Sequence, residues 1–138
     1  MNSAAGESLS FGVISFYKAQ AELIKKQLDK ITDDDRKLRI GTVDSFQGME
    51  FDVVFLSMVR TMPQNWKSRS DEAEKQARSL FGHLCLYNRL NVSMSRQKKL
   101  LVVVGDSGLL QSDLAVKFIP GLVDFCKLCR TEGKVLCR

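Results

Sequence analysis

Residues 52–59 read DVVFLSMV, with one polar residue on each face of an extended chain, Asp52 on one and Ser57 on the other. A strand with one wet face alternates polar and apolar residues; a strand covered on both faces does not. Cover on both faces comes from helices packed over a mainly parallel sheet. The run therefore predicts an α/β fold. LLVVVGD at 100–106 is a second such run and reads as the clearest buried strand. FGVISF at 11–16 and LRIGTV at 38–43 supply two more strands.

The segments between these runs read as helices and links. Tyr17, Ala21, Ile24, Leu28 and Ile31 recur at steps of 3 and 4, an apolar helix stripe with Lys25, Lys26 and Lys30 off it. TDDDRK at 32–37 is a polar connection. Residues 61–88 are expected to hold a loop and a short helix near 70–80. RLNVSMSRQKK at 89–99 reads as a helix whose basic end suits a helix C-terminus. Ser107–Phe118 reads as another helix; Pro120 opens a last one, which Gly133 stops. This order gives a mainly parallel sheet flanked by helices.

Composition narrows the function classes. With 138 residues the chain can bury a real core, and 44% apolar with 27% charged residues excludes a disordered chain. No apolar run reaches the length of a membrane span. The start, MNSAAGES, lacks the basic-then-apolar layout of a secretory signal, so residues 1–8 are expected to be a disordered leader or an expression scar before a domain at 9–138. An intracellular location follows as an expectation, with reduced thiols. Net charge +5 suits a polyanionic partner, or equally a plain solvated surface.

Four cysteines, Cys85, Cys126, Cys129 and Cys137, include one CxxC. Zinc would need a fourth ligand from Cys85 or the distant His83. Leu122, Phe125, Cys126 and Cys129 instead fall on one apolar helix face, where a free thiol packs as a small apolar group. No metal site is assigned.

Ligands of open parallel sheets bind beyond the carboxyl ends of the strands. Three polar clusters read as strand ends: Ser15–Gln20, Thr42–Glu50 and Gly105–Asp106. Each alone could be a capped turn, with Asp44 or Ser45 capping and Gly48 permitting the bend. A turn does not need Gln47 and Glu50 around the same glycine. Arg96 stands seven residues after Arg89, on one face if the helix runs that far, and a guanidinium fork suits phosphate; a basic solvated face is the alternative.

FGVISFYKAQAELI, IGTVDSFQGMEFDVVFLSMVR and RLNVSMSRQKKLLVVVGD resemble motifs IV, V and VI of superfamily 1 helicases, in the branch of the nonsense-mediated-decay RNA helicase and its DNA-unwinding relatives. In that branch motif V resembles TVDxFQGxE before an apolar strand, and motif VI resembles RLNVAxTRA before another. The three motifs come in the family's order, across about residues 11–106. The resemblance implies a second RecA-like motor domain. ATP and Mg2+ would be held mainly by a preceding N-terminal RecA-like domain, with single-stranded DNA or RNA lying across both. Arg96 would be the catalytic arginine finger on the γ-phosphate. Gln47, Gly48 and Glu50 would join it on the nucleotide. Thr42, Asp44 and Ser45, with Ser15 and Tyr17 of motif IV, would face the nucleic acid.

No GxxxxGK[ST] occurs, so the segment lacks its own P-loop and is expected to be inactive in ATP hydrolysis alone. Asn88 replaces an arginine of the family's DPRRLNV, and Gln97-Lys98 replaces a common Ala-Arg. Residues 61–88 match no motif and read as an insertion. Two other readings stand beside the motor domain: a non-catalytic nucleic-acid-binding module that kept the fold, and a stand-alone nucleotide-binding α/β domain. The last lacks a glycine-rich loop opening a helix after the first strand.

Overall fold

Four strands, β1 (Phe11–Ser15), β2 (Leu38–Thr42), β3 (Phe51–Ser57) and β4 (Gln97–Val104), form one all-parallel sheet in the order β2-β1-β3-β4. The computed structural model describes residues 9–30, 37–67, 70–85 and 87–136. The expected leader 1–8 lies outside the described residues. The chain divides into two compact units, Met1–Val59 with Asn91–Gly105, and Arg60–Leu90 with Asp106–Arg138.

The first unit holds the sheet, and its helix-flanked parallel strands make the RecA-like α/β fold expected from residues 52–59. β3 is inserted between β1 and β4, with Val53, Val54 and Leu56 buried, as an apolar run on both faces requires. Helix α1 (Lys18–Leu28) packs on β1 and β2. Ala21 is buried, Tyr17, Ile24 and Leu28 are half-buried, and Lys25 and Lys26 are exposed; Ile31 lies outside the described residues.

β4 corrects an expectation. It is an edge strand, with Leu100 52% and Val104 58% exposed, so the buried strand expected at 100–106 is partly open. An LLVVV run states β propensity and apolarity, but not whether the strand ends up central or at an edge. Register shifts from Phe51↔Gln97 to Val53↔Leu100, one extra residue in β4 at the exposed Lys98 and Lys99. A bulge carrying lysines is a usual guard on an open sheet edge.

The helix before β4 is also shorter than expected. Helix α3 spans Tyr87–Met94, and residues 97–99 open β4 rather than closing a helix. Basic residues suit a helix C-terminus, yet here ladder bonds to β3 claim their backbone. Arg96 therefore lies beyond the helix and does not share a helical face with Arg89, whose side chain lies outside the described residues.

The second unit contains residues 61–88, with helices α2 (Ala73–Phe81), α4 (Asp113–Phe118) and α5 (Pro120–Thr131). Its core includes Ala77, Leu80, Phe81, Leu109, Leu114, Ile119 and Leu122. The helix expected over 107–118 is broken: a 3-10 turn at Ser107–Gln111 precedes Ser112, whose hydroxyl accepts the Ala115 N–H at 3.2 Å and starts α4. Asp106 accepts the backbone N–H of Met62 and of Gly108, each at 2.9 Å. Its carboxylate thus ties a turn together. Cys126 and Cys129 are half-buried free thiols on α5, while Cys137 lies outside the described residues.

Candidate functional site

Thr42, Ser15 and Ser57 stand side by side at the carboxyl ends of β2, β1 and β3. The strand order reverses between the two inner strands β1 and β3, the place where open parallel sheets take ligands. Ser57 was not singled out from sequence, although one serine in an apolar strand was the available signal. Ser15 is buried, and its Oγ accepts the Tyr17 N–H at 3.2 Å, shaping the turn into α1. Tyr17 is the half-buried N-cap of α1, and its side chain makes no capping bond.

β2 runs into a 3-10 turn, Val43–Phe46. Residues three apart eclipse in such a turn, so Val43 and Phe46 point inward together and are buried. Asp44 and Ser45 are left exposed, with Ser45 Oγ donating to the Thr42 carbonyl at 2.7 Å. The polar face of TVDSF is thus the outward side of a turn anchored by two apolar residues.

β3 is parallel to β2, so the connection 43–50 must return to the opposite edge of the sheet. Thr42 is level with Ser57, six residues after Phe51, a separation of about 20 Å at ~3.3 Å per residue. The 3-10 turn covers roughly 8 Å at ~2 Å per residue, and a second turn follows around Gln47 and Gly48, where the Met49 N–H donates to the Phe46 carbonyl at 3.1 Å. The connection is thus two successive hydrogen-bonded turns rather than an extended strap. It lies flat because β1 and β2 present glycine to it. A Cβ on Gly12 would come within 2.8 Å of the Phe51 ring, and one on Gly41 would meet Ser45 and Phe46. Phe46 and Phe51 pack edge to face, their centroids 5.3 Å apart.

One expectation is corrected by this path. The polar run 42–50 is not a single loop at the carboxyl ends. Thr42, Asp44 and Ser45 lie at that edge; Gln47, Gly48 and Glu50 lead to the amino edge, where β3 begins. Gln47 and Glu50 are exposed, and Gly48 holds φ at +74°, a left-handed value that favours glycine.

Arg96 belongs to the amino edge as well. Its carbonyl accepts the Phe51 N–H at 2.9 Å, its Nε donates to the Val92 carbonyl at 3.2 Å, and its Nη1 donates to the Met49 carbonyl at 3.4 Å. The half-buried guanidinium is thus held against the rim formed by residues 47–50. Nearby, Asp52 accepts the Ser10 N–H at 2.9 Å and its hydroxyl at 3.1 Å, joining the starts of β1 and β3. The Ser10 N–H chiefly holds the Asp52 carboxyl below its ordinary value, helped by the Ser10 hydroxyl and by Lys99 and Lys98, against the opposing effect of desolvation.

No group of three His, Cys, Asp or Glu among the described residues could hold a cation, and Asp44 and Glu50 stand toward opposite edges. The described residues therefore do not fit a magnesium ion, and no step below runs through one. No helix among them is long and apolar enough to cross a membrane.

An AAA domain family model matches residues 1–108. The chain is 33% identical over 116 residues to the DNA replication ATP-dependent helicase/nuclease dna2 of Schizosaccharomyces pombe, 83% of this chain and 7% of that protein. It is 37% identical over 121 residues to the DNA polymerase alpha-associated DNA helicase A of Saccharomyces cerevisiae, covering 86% of this chain and 15% of the relative. The RNA helicase Mov10l1 of Mus musculus is 35% identical over 106 residues, 77% of this chain and 8% of that protein. The chain thus spans only a small part of the length of these relatives. With motifs IV, V and VI set on an all-parallel sheet, it belongs to this AAA domain family and is a superfamily 1B-type helicase domain.

Proposed function

We propose that this domain is the second motor domain of an ATP-dependent helicase or translocase acting on single-stranded nucleic acid. It works with an N-terminal RecA-like domain that holds the P-loop and the magnesium. Arg96 reaches the γ-phosphate across the cleft, and Gln47, Gly48 and Glu50 line the same nucleotide. Thr42, Asp44 and Ser45, flanked by Ser15 and Tyr17, meet the strand's backbone. Contacts from hydroxyls and amides to phosphates are indifferent to sequence, as a motor that moves along a strand requires. DNA and RNA both remain in this substrate class, since the relatives' names include both.

The observation that carries this reading is the connection 43–50. One short segment of two successive turns has the nucleic-acid candidates at one end and the rim that grips Arg96 at the other. Each turn is closed by a hydrogen bond, Ser45 Oγ to the Thr42 carbonyl and the Met49 N–H to the Phe46 carbonyl, so displacement at one end is carried toward the other. Phosphoryl transfer is accelerated by positive charge placed where negative charge develops, and an arginine finger is worth roughly 10³–10⁵ in rate. Supplying it from a second domain makes hydrolysis depend on cleft closure.

The test is ATP turnover by the intact protein carrying Arg96→Ala. Turnover is expected to fall at least a thousandfold while ATP binding stays measurable, in line with a transition-state contact. Near-normal turnover would remove Arg96 from the finger role.

A further inference from the structure

The residues proposed above to meet the strand, Ser15, Tyr17, Thr42, Asp44 and Ser45, offer hydroxyls and one carboxylate but no cation. A phosphate backbone is bound chiefly by Lys and Arg side chains that displace its counterions, so this set is chemically incomplete, and Asp44 works against it. The neighbouring cation along the chain, Lys18, opens α1 and pairs with Glu22 of the same helix at 3.9 Å.

Arg39 carries the missing charge on the same face of the sheet as Ser45. A Cβ built on Gly41 meets the Ser45 side chain, so the side to which position 41 points is the side on which Ser45 lies. Side chains alternate along a strand, so Arg39, two residues earlier in β2, points to that side, about 7 Å back along the strand. Leu38 and Ile40, on the other face, are half-buried, whereas Arg39 is exposed. β2 is an edge strand, so no further strand flanks it on its outer side. The Arg39 guanidinium makes no hydrogen bond or ion pair among the described residues, unlike that of Arg96, which is held by the Val92 and Met49 carbonyls. An uncommitted guanidinium fork matches the geometry of a phosphate. We propose that Arg39 is a phosphate contact of the bound single strand, extending its track from Ser45 along the exposed face of β2. This rests on the nucleic-acid reading of Thr42, Asp44 and Ser45 given above.

The test is binding of labelled oligo(dT) and oligo(U) to the intact protein between 50 and 200 mM salt, as wild type, Arg39→Ala, Arg39→Lys and Lys26→Ala. Each phosphate contact to a single strand adds about 0.7 to the slope of log affinity against log salt, so over this fourfold range wild type should lose about 2.6-fold more affinity than Arg39→Ala. Arg39→Lys keeps the charge and should keep the slope. Lys26→Ala removes an equal charge from the last turn of α1 and should also keep it. Both positions are exposed, so the variants should fold as wild type does. A wild-type slope in Arg39→Ala, a slope lost in Arg39→Lys, or one lowered equally in Lys26→Ala overturns the assignment. If wild type binds neither oligomer in a salt-dependent way, the nucleic-acid reading itself fails, and this inference with it. Salt-dependent binding by wild type with an unmoved slope in Arg39→Ala overturns only this inference.

Discussion

Gly48 offers a clean perturbation because its constraint is conformational alone. Its φ is +74°, and a Cβ built there meets nothing within 4 Å. Gly48→Ala therefore adds no clash and removes no contact, leaving only the cost of a left-handed backbone, about 1–2 kcal/mol for an ordinary L-residue. Asparagine visits that region more readily, so Gly48→Asn should cost less. Gly12→Ala is the opposite case: its φ is ordinary, but its Cβ would lie 2.8 Å from the Phe51 ring, an overpacking that typically costs ~1–3 kcal/mol. Urea unfolding of the three variants beside wild type reads these costs as midpoint shifts at constant slope. The expected order places Gly48→Asn nearest wild type and Gly48→Ala below it. Equal stability of Gly48→Ala and wild type, or an asparagine variant less stable than the alanine one, would refute the positive-φ reading and with it the described path of residues 47–50.

Two further outcomes follow from the same framework. Phe46 is fully buried and packs on Phe51, so Phe46→Ala should cost about 3–5 kcal/mol, while Ser45→Ala on the exposed side of the same turn should stay within ~1 kcal/mol; thermal unfolding that ranks them equal would contradict the inward–outward split of the turn. Asp52 has a lowered folded pKa, so its contribution to stability is present above the unfolded value and is lost as pH falls through the folded one. The stability gap between wild type and Asp52→Asn should therefore be constant near neutrality and narrow below about pH 4; a gap that widens on acidification would show that Ser10 does not hold the carboxylate.

Much of this arrangement was legible in the residues. Val53, Val54 and Leu56 announced a strand covered on both faces, and the i, i+3 and i+4 apolar spacing marked α1. Gly48 among polar neighbours marked a backbone that needs glycine. Pairing order, by contrast, has no local signature. Nothing in TVDSFQGME states that β2 lies on the far side of β1 from β3, and it is that order that makes the returning run cross β1. The same gap in information made LLVVV look buried when it lies at an edge. Lys98 and Lys99 fit a helix end by charge, yet they fall at the bulge inside β4, after Gln97 has paired with Phe51. Asp106 looked like a ligand group and instead binds two backbone amides of its own unit. That Arg39 shares a face with Ser45 depends on the turn folding back over Gly41, which the run itself does not state.

The central claim, that residues 43–50 transmit between a nucleic-acid edge and the Arg96 rim, is tested most directly by breaking the turn that the Met49 N–H closes on the Phe46 carbonyl. One glycine inserted between Gly48 and Met49 moves that N–H one residue, about 3.5 Å of chain, away from its acceptor without removing any proposed contact residue. The measurement is the ratio of ATP turnover with and without a single-stranded homopolymer, in the intact protein. The account expects wild type to be stimulated and the insertion variant to lose most of that stimulation while still binding the strand. Stimulation of the variant equal to that of wild type would contradict it.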